Sequence, residues 1–336
     1  MNMKLNNAFR AVIGMIALAG LIFVSVPASA QTAASQLEDK EIPVQNFTSV
    51  CAGGDFEITL VKSDACNVRL TVDKELSPYI DVFVKASTLY FNYDSKSVPK
   101  DTKKLYRGKD ASTPVFRAVV YMPELAGLTL TENASVTGTD EFGGSSLLVS
   151  VTDKAQIKSL SVVADAAKVG LKKNAQAVLT LKTEGSVEIS TENNANAKVY
   201  LEAGEVAVSG IGSSVLAASG RARTLNLASA GTAQITLNLD VEKSVFSTEG
   251  SSKILLSGQG ESIALTSARS SSVDASGFTV DNAICNLSGS ATASVVVNEV
   301  LEAQSLTSGS SLYYGGTPQF VIGKIIKSTL APIGTK

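Results

Sequence analysis

A short turn motif that returns about every twenty residues is the feature that most limits how this chain can fold. Each copy has small or polar residues followed by an apolar residue. A fixed period of this length is typical of a solenoid, in which each repeat forms one coil and buries its apolar side against its neighbours. The copies are Asn133-Ala-Ser-Val136, Lys154-Ala-Gln-Ile157, Asn174-Ala-Gln-Ala177, Asn196-Ala-Lys-Val199, Gly212-Ser-Ser-Val215, Thr232-Ala-Gln-Ile235, Ser251-Ser-Lys-Ile254, Ser270-Ser-Ser-Val273, Ser290-Ala-Thr-Ala293 and Gly309-Ser-Ser-Leu312.

The residues between these motifs predict short strands. Runs such as Leu147–Val151 and Ala177–Leu181 alternate apolar and polar residues, which is the period of a half-buried strand. Residues 125–316 contain no proline, as expected where internal coils need almost every N–H for hydrogen bonds to a neighbour. We therefore predict an all-β fold, with a parallel β-helix of about twenty residues per coil over residues 125–316 and a tail over residues 317–336. Ile235 and Ile254 should both lie inside it, one coil apart.

The region before the repeats, residues 31–124, has a different composition, with more aromatic residues and prolines. Alternating runs such as Phe56–Val61 and Phe116–Tyr121 predict strands that stack on the N-terminal end of the β-helix, as irregular coils or as a small antiparallel cap. Residues 95–113 are polar and rich in lysine. We expect an exposed loop there, because aspartates balance its lysines.

The first thirty residues read as a secretory signal peptide. Lys4 and Arg10 precede an uncharged apolar stretch, and Ala28-Ser-Ala30 matches a cleavage site. We expect export to the periplasm, the cell surface or the extracellular space, and no membrane span in the mature chain. A net charge of −2 does not favour nucleic acid as a partner.

Three cysteines follow the signal peptide, at positions 51, 66 and 285. In an oxidising compartment Cys51 and Cys66 are a disulfide candidate; two separately buried thiols are the alternative. Cys285 lies one period after Leu265 and is expected in the core as a small apolar residue.

The sequence offers no catalytic, cofactor-binding or metal-ligating set. It contains no histidine, which removes the commonest general base and zinc ligand. Glu184 and Glu188, if they share a strand, would lie too far apart for a glycosidase pair, whereas Glu184 and Glu205 could align across coils. We interpret the acidic residues of the repeats as solvated charge. They are Asp153, Asp165, Glu184, Glu188, Glu192, Glu202, Glu205, Asp240, Glu242, Glu249 and Glu261.

Binding would need exposed aromatic residues on a sheet face, and the repeats contain few. Tyr313 and Tyr314 come at the last copy of the motif, where we expect them to cover the open end of the core. The aromatic residues of the repeats are Phe142, Tyr200, Phe246, Phe278, Tyr313 and Tyr314.

The order of several segments resembles the putative auto-transporter adhesin family with the head GIN domain, best known from Bacteroidetes. The resemblance covers essentially the whole mature chain, and it implies an exported, right-handed β-helix without agreed catalytic residues. The segments that carry it are Phe47-Thr-Ser-Val50, Gly53-Gly-Asp-Phe-Glu-Ile-Thr-Leu60, Val68–Val72, Ile80–Val84, Leu89-Tyr-Phe91, Val119–Leu125 and Leu128-Thr-Leu130.

These observations predict an exported, non-enzymatic protein of the bacterial cell envelope that is adhesin-like or binds a ligand, with extracellular polysaccharide or a host or cell-surface protein as partner. The alternative is a polysaccharide lyase or hydrolase that acts from one face of the β-helix. The arrangement of exposed charges separates the two: a cleft with clustered carboxylates, or with an Arg or Lys among them, favours the enzyme.

Overall fold

The protein, described by a computed structural model over residues 36–108 and 111–334, is almost entirely β-structure. Strands make up 71% of the chain and helices 3%, in a β-solenoid of about 11 turns with coils of about 19 residues. This confirms the all-β solenoid predicted from the repeat. The expected signal peptide, residues 1–30, lies outside the described residues. Within them, no helix has the length and apolar character needed to cross a bilayer.

The N-terminal region supplies the first strands and two short helices. Its 3-10 helix covers Ser77–Tyr79, and helix α1 covers Lys100–Leu105 inside the expected loop. The strands are β1 Leu37–Ile42, β2 Ser49–Ala52, β3 Glu57–Lys62, β4 Asn67–Asp73, β5 Ile80–Lys85, β6 Thr88–Tyr93, β7 Phe116–Met122 and β8 Gly127–Leu130.

The repeats continue with longer strands, most of which turn a corner of the solenoid. They are β9 Ser135–Val151, β10 Gln156–Leu171, β11 Gln176–Thr183, β12 Ser186–Asn193, β13 Asn196–Gly212, β14 Val215–Gly231, β15 Gln234–Thr248, β16 Lys253–Ser267, β17 Ser272–Leu287, β18 Thr292–Thr307, β19 Ser311–Gly316, β20 Gln319–Ile326 and β21 Thr329–Pro332.

The N-terminal strands extend the solenoid on its two sheet faces. On one face β3 pairs in parallel with β9 and β7, after which β4 and β1 follow in antiparallel orientation. On the other face β8, β2 and β6 run parallel, and β5 closes the sheet in antiparallel orientation. The region therefore combines both predicted forms, with coil-like strands beside the repeats and an antiparallel cap at the outer end.

One column of inward side chains shows how the coils stack. Ile235 pairs with Ile254 in the parallel ladder, and both are buried, which confirms that they lie inside, one coil apart. The column continues in both directions in the same way, because successive coils are in register. Its members from β9 to β21 are Val136, Ile157, Ala177, Ala197, Leu216, Ile235, Ile254, Val273, Ala293, Leu312 and Leu330.

The predicted register was wrong at two copies of the motif. Ala197, and not Val199, continues the column. Val199 also faces the core, because a slip of two residues keeps a side chain on the same face of a strand. Val215 is 39% exposed, and its neighbour Leu216 takes the core position. The predicted register was one residue off there, and such an error exchanges the inward and outward side chains of the strand.

The corner that carries the motif is turned by left-handed residues. One residue per coil has a φ angle between 59° and 80°. The residue two positions later is a buried alanine or serine. A small side chain is needed there because the corners of adjacent coils lie directly above one another. The left-handed residues are Glu132, Asp153, Lys173, Asn193, Gly212, Gly231, Gly250, Arg269, Gly289 and Ser308.

The expected tail is instead a further coil. Strand β20 pairs in parallel with β18, and β21 pairs in parallel with β19. The solenoid therefore runs on beyond Gly316 to Pro332. The signal that could have found this coil is Lys327-Ser-Thr-Leu330, which repeats the turn motif after Leu312.

Candidate functional site

Ion pairs between neighbouring coils neutralise much of the acidic charge on the repeats. In five pairs a lysine or arginine reaches a carboxylate on the adjacent coil, because residues about twenty positions apart lie side by side in the stack. The groups are largely exposed, so each pair adds little to stability and mainly keeps the surface solvated. The pairs are Lys168–Glu188 at 2.8 Å, Lys172–Glu192 at 3.1 Å, Lys173–Asp153 at 2.5 Å, Arg221–Glu202 at 2.9 Å and Arg269–Glu249 at 2.8 Å.

The structure does not form either carboxylate pair considered from the sequence. Glu184 lies in the corner after β11, whereas Glu188 lies on β12 beside Lys168, so the two do not share a strand. Glu205 is opposite Ser186, and not opposite Glu184.

A different set of charges aligns at the corner between the two sheet faces. Strand pairing places Arg223, Glu242, Glu261 and Asp281 in successive coils, since Ala222 pairs with Val241, Val241 with Gly260 and Gly260 with Val280. We call these four residues the corner column. They line two open depressions, of about 570 and 470 Å³. The sequence did not reveal this column, because its residues come from four different repeats.

The sheet face beside this corner carries a regular grid of outward side chains, which we call the Tyr200 platform. It spans β11, β13, β14 and β15 in parallel register. Its three rows, read across the four strands, are Val178, Lys198, Ala217 and Thr236; Thr180, Tyr200, Ser219 and Asn238; and Lys182, Glu202, Arg221 and Asp240.

Tyr200 dominates the platform because its neighbours in the same row are small or polar. It is 41% exposed, and Val178 beside it is 45% exposed. Successive rows lie about 7 Å apart and successive strands about 4.8 Å apart, so the grid measures roughly 14 Å in each direction. The first two rows line a shallow depression of about 410 Å³. This is enough for one or two rings of a ligand lying flat on the sheet.

The third row fixes the charge state around the tyrosine. Tyr200 Oη donates to Glu202 Oε1 at 2.7 Å, and Arg221 Nη2 donates to Glu202 Oε2 at 2.9 Å. These two hydrogen bonds hold the pKa of Glu202 below its usual value, and the same bond to Glu202 raises the pKa of Tyr200. Lys182 Nζ donates to Glu141 Oε2 at 2.7 Å, which raises the pKa of the lysine and lowers that of the glutamate.

These shifts stabilise each group in its ordinary charge state. A general acid needs a carboxyl whose pKa is raised, and a lyase base needs a lysine or tyrosine whose pKa is lowered. At the platform the pKa values of the carboxyls are lowered and those of the lysine and the tyrosine are raised. The arrangement suits the orientation of a ligand better than the transfer of a proton.

The structure separates the six aromatic residues of the repeats into classes. Phe142, Phe246 and Phe278 are fully buried. Tyr313 and Tyr314 are partly buried, and the Tyr314 ring meets the Phe320 ring edge-on at 4.9 Å, so this pair lies beneath a further coil and not at the open end. Tyr313 shares the outward column of Thr236 and Ser294 but is partly buried, so Tyr200 is the exposed aromatic residue of this set.

All three cysteines are free thiols in the structure. Cys51 lies on β2 between β6 and β8, whereas Cys66 precedes β4, whose neighbours are β1 and β7. A Cys51–Cys66 bridge is not formed, because the two thiols belong to different sheet faces. Cys285 is fully buried opposite Leu265, as predicted. Within the described ranges, no group of three or more cysteine, aspartate or glutamate side chains is arranged to hold a metal ion.

Three solved structures that resemble this chain are proteins of Parabacteroides. A putative adhesin from Parabacteroides distasonis is 17% identical, covers 89% of this chain and 98% of its own, and has a TM-score of 0.44. A putative adhesin from Parabacteroides merdae is 16% identical, with coverages of 89% and 96% and a TM-score of 0.39. A putative lipid binding protein from Parabacteroides distasonis is 17% identical, with coverages of 88% and 96% and a TM-score of 0.37.

No curated protein matches this chain. The family model described as "putative auto-transporter adhesin, head GIN domain" matches it twice, over residues 46–185 and 178–318. Together the two matches cover residues 46–318, from β2 to β19, and include the segments that carry the resemblance noted from the sequence. The chain therefore belongs to the putative auto-transporter adhesin family with the head GIN domain.

Proposed function

We propose that this protein is an exported, non-enzymatic, adhesin-like binding protein of the bacterial cell envelope, and that it holds an extracellular polysaccharide on the Tyr200 platform. Membership of an adhesin-like family supports the class of function. The apolar signal segment at residues 1–30 supports export. The single observation that supports a polysaccharide as the ligand is the exposed Tyr200 ring on the sheet, with hydroxyl, amide and amine groups around it.

A flat sugar ring fits this surface for two reasons. Its apolar face can lie on the tyrosine ring, while its hydroxyls reach Lys198, Asn238 and the carboxylate of Glu202. The parallel strands hold these groups in place before binding, which limits the entropy lost on association. A polymer can lie along several coils, so weak contacts add up through multivalency.

The test is a glycan array followed by calorimetry on the best ligand. Tyr200→Ala should weaken binding about fivefold, because the ring contact is worth about 1 kcal/mol. Tyr200→Phe keeps the ring and loses the bond to Glu202, so it should retain most of the affinity. Val245→Ala is the control, because Val245 is 52% exposed on the other sheet face. Equal affinity of Tyr200→Ala and the native chain would remove the platform as the binding site.

The corner column supports a second candidate, a polysaccharide hydrolase or lyase. Adjacent coils lie about 4.8 Å apart, so Glu242, Glu261 and Asp281 bring carboxylates near the spacing that retaining glycosidases use. Arg223 adds a cation beside them. We expect no new reducing ends and no unsaturated uronates on any polysaccharide. Reproducible product that disappears in Glu261→Gln, with the fold intact, would establish the enzyme instead.

A further inference from the structure

The C-terminal end of the solenoid is an open sheet edge. Every residue of β20 is exposed, and the one strand neighbour of β20 among the described residues is β18. The opposite edge of β20 leaves backbone N–H and C=O groups free to pair with another strand.

The same end carries side chains of the core type. Phe320 and Ile322 continue the inward columns of Leu301 and Ala303, yet they are 44% and 51% exposed because, among the described residues, no strand lies beyond β20 on this face. Six large apolar residues at this end, each 38–51% exposed, together expose roughly 500 Å² of apolar surface on the two sides of the open edge. They are Phe320, Val321, Ile322, Ile325, Ile326 and Ile333.

The other end of the protein is protected. The outer strands there are β1 and β5, which run antiparallel to their neighbours. Strand β1 has the sequence Leu-Glu-Asp-Lys-Glu-Ile, with four charged residues in a row. Charged side chains on an edge strand oppose pairing with another sheet. Head-to-tail stacking would set β21 beside this charged strand and β20 beside β5, which carries Asp81 and Lys85, so we favour contact between two like ends.

We propose that a second copy of this chain docks on this end, with β20 of each copy pairing in antiparallel orientation about a two-fold axis. An axis through Gly323 places Lys324 opposite Ile322 of the second copy, so the lysines do not face each other. The apolar patch and the polar atoms around it supply most of the roughly 800 Å² that each partner gives to a standard interface.

Residues 317–334 contain Lys324 and Lys327 and no acidic residue, so an anionic lipid surface is the competing occupant. The unpaired edge argues against it. Hydrocarbon offers no partner for the free N–H and C=O groups of β20, whereas a second strand satisfies them. The inference does not depend on the proposed ligand, although a dimer would present the Tyr200 platform twice.

Sedimentation equilibrium of the full exported chain tests this interface. We expect a dimer at micromolar concentration, and an increase of at least tenfold in its dissociation constant for Ile322→Lys. Val321→Lys is a second variant, whose side chain points outward, in case the first does not fold. Val245→Lys is the matched control and should dimerise like the native chain. Circular dichroism and the melting temperature check that each variant is folded.

Four outcomes would overturn the inference. They are a monomer at every concentration up to about 100 μM, a dimer that neither lysine variant weakens, assembly beyond a dimer, and binding of the monomer to phosphatidylglycerol vesicles through β20 without dimerisation.

Discussion

At the scale of single residues, the face of the strand on which a side chain lies decides whether it is buried in the core or exposed to solvent. Ile254 and Leu255 are neighbours of similar size on β16, but Ile254 is 3% exposed in the core and Leu255 is 48% exposed on the surface. Alternation along the strand puts them on opposite faces. The cost of placing a charge at each position should therefore differ greatly.

Ile254→Asp should lower the free energy of unfolding by several kcal/mol, because it buries a charge without a partner. Leu255→Asp should change it by less than about 1 kcal/mol, since the carboxylate stays in water. Denaturant unfolding of both variants measures the difference. Equal losses at the two positions would show that the register of β16 is wrong.

The thiol of Cys285 reports on the same core. Burial raises its pKa to about 12, so at pH 8 it is protonated as well as inaccessible. We expect a thiol reagent to modify Cys285 only after the protein unfolds, as mass spectrometry of the labelled peptides would show. Because the folded pKa is raised, this group adds stability below about pH 9 and loses it as the pH rises towards 12. Rapid labelling of Cys285 under native conditions would contradict the closed interior.

At the scale of the coil, backbone contacts between neighbours set the limits. At Gly220 the chain bends with φ of 130°, and a Cβ there would lie 1.8 Å from the Leu201 carbonyl oxygen of the previous coil. Gly143, by contrast, has φ in the ordinary range and open space around its Cα. The two glycines look alike in the sequence, but only one is required by its neighbour.

Gly220→Ala should destabilise the protein by about 2 kcal/mol or more, because both the dihedral angle and the contact oppose a side chain. Gly143→Ala should be neutral, or stabilising by a few tenths of a kcal/mol through the unfolded chain. Thermal unfolding of the pair checks this. A smaller loss at Gly220 than at Gly143 would mean that the coils do not approach as closely as described.

How much the sequence predicts also depends on scale. The period predicts the solenoid, since the apolar column must repeat wherever coils stack. The period does not fix the register around Ala197, because the apolar residues at 195, 197 and 199 all point to the same face of the strand. Around Leu216 it cannot decide between two adjacent apolar residues, Val215 and Leu216. The last coil was missed because Pro318 ended the proline-free stretch. The corner column and the Tyr200 platform join residues from different coils, and such contacts depend on the register that a single sequence does not supply.

At the scale of the whole molecule, successive coils stack in register along one axis, and the site and the core both depend on this stacking. The outward residues Ser150, Ser247 and Asn286 belong to a single column on one sheet face. Five coil steps separate the first two, and seven separate the first and the last.

The most direct test is a pulsed electron spin measurement on two doubly labelled variants, Ser150→Cys with Ser247→Cys and Ser150→Cys with Asn286→Cys. The background would carry Cys51→Ser, Cys66→Ser and Cys285→Ala. At about 4.8 Å per coil, in-register stacking predicts Cα separations of roughly 24 and 34 Å, and label distances that differ by about 10 Å. Two equal distances, or a difference far from two coil steps, would contradict the in-register solenoid and the binding platform built on it.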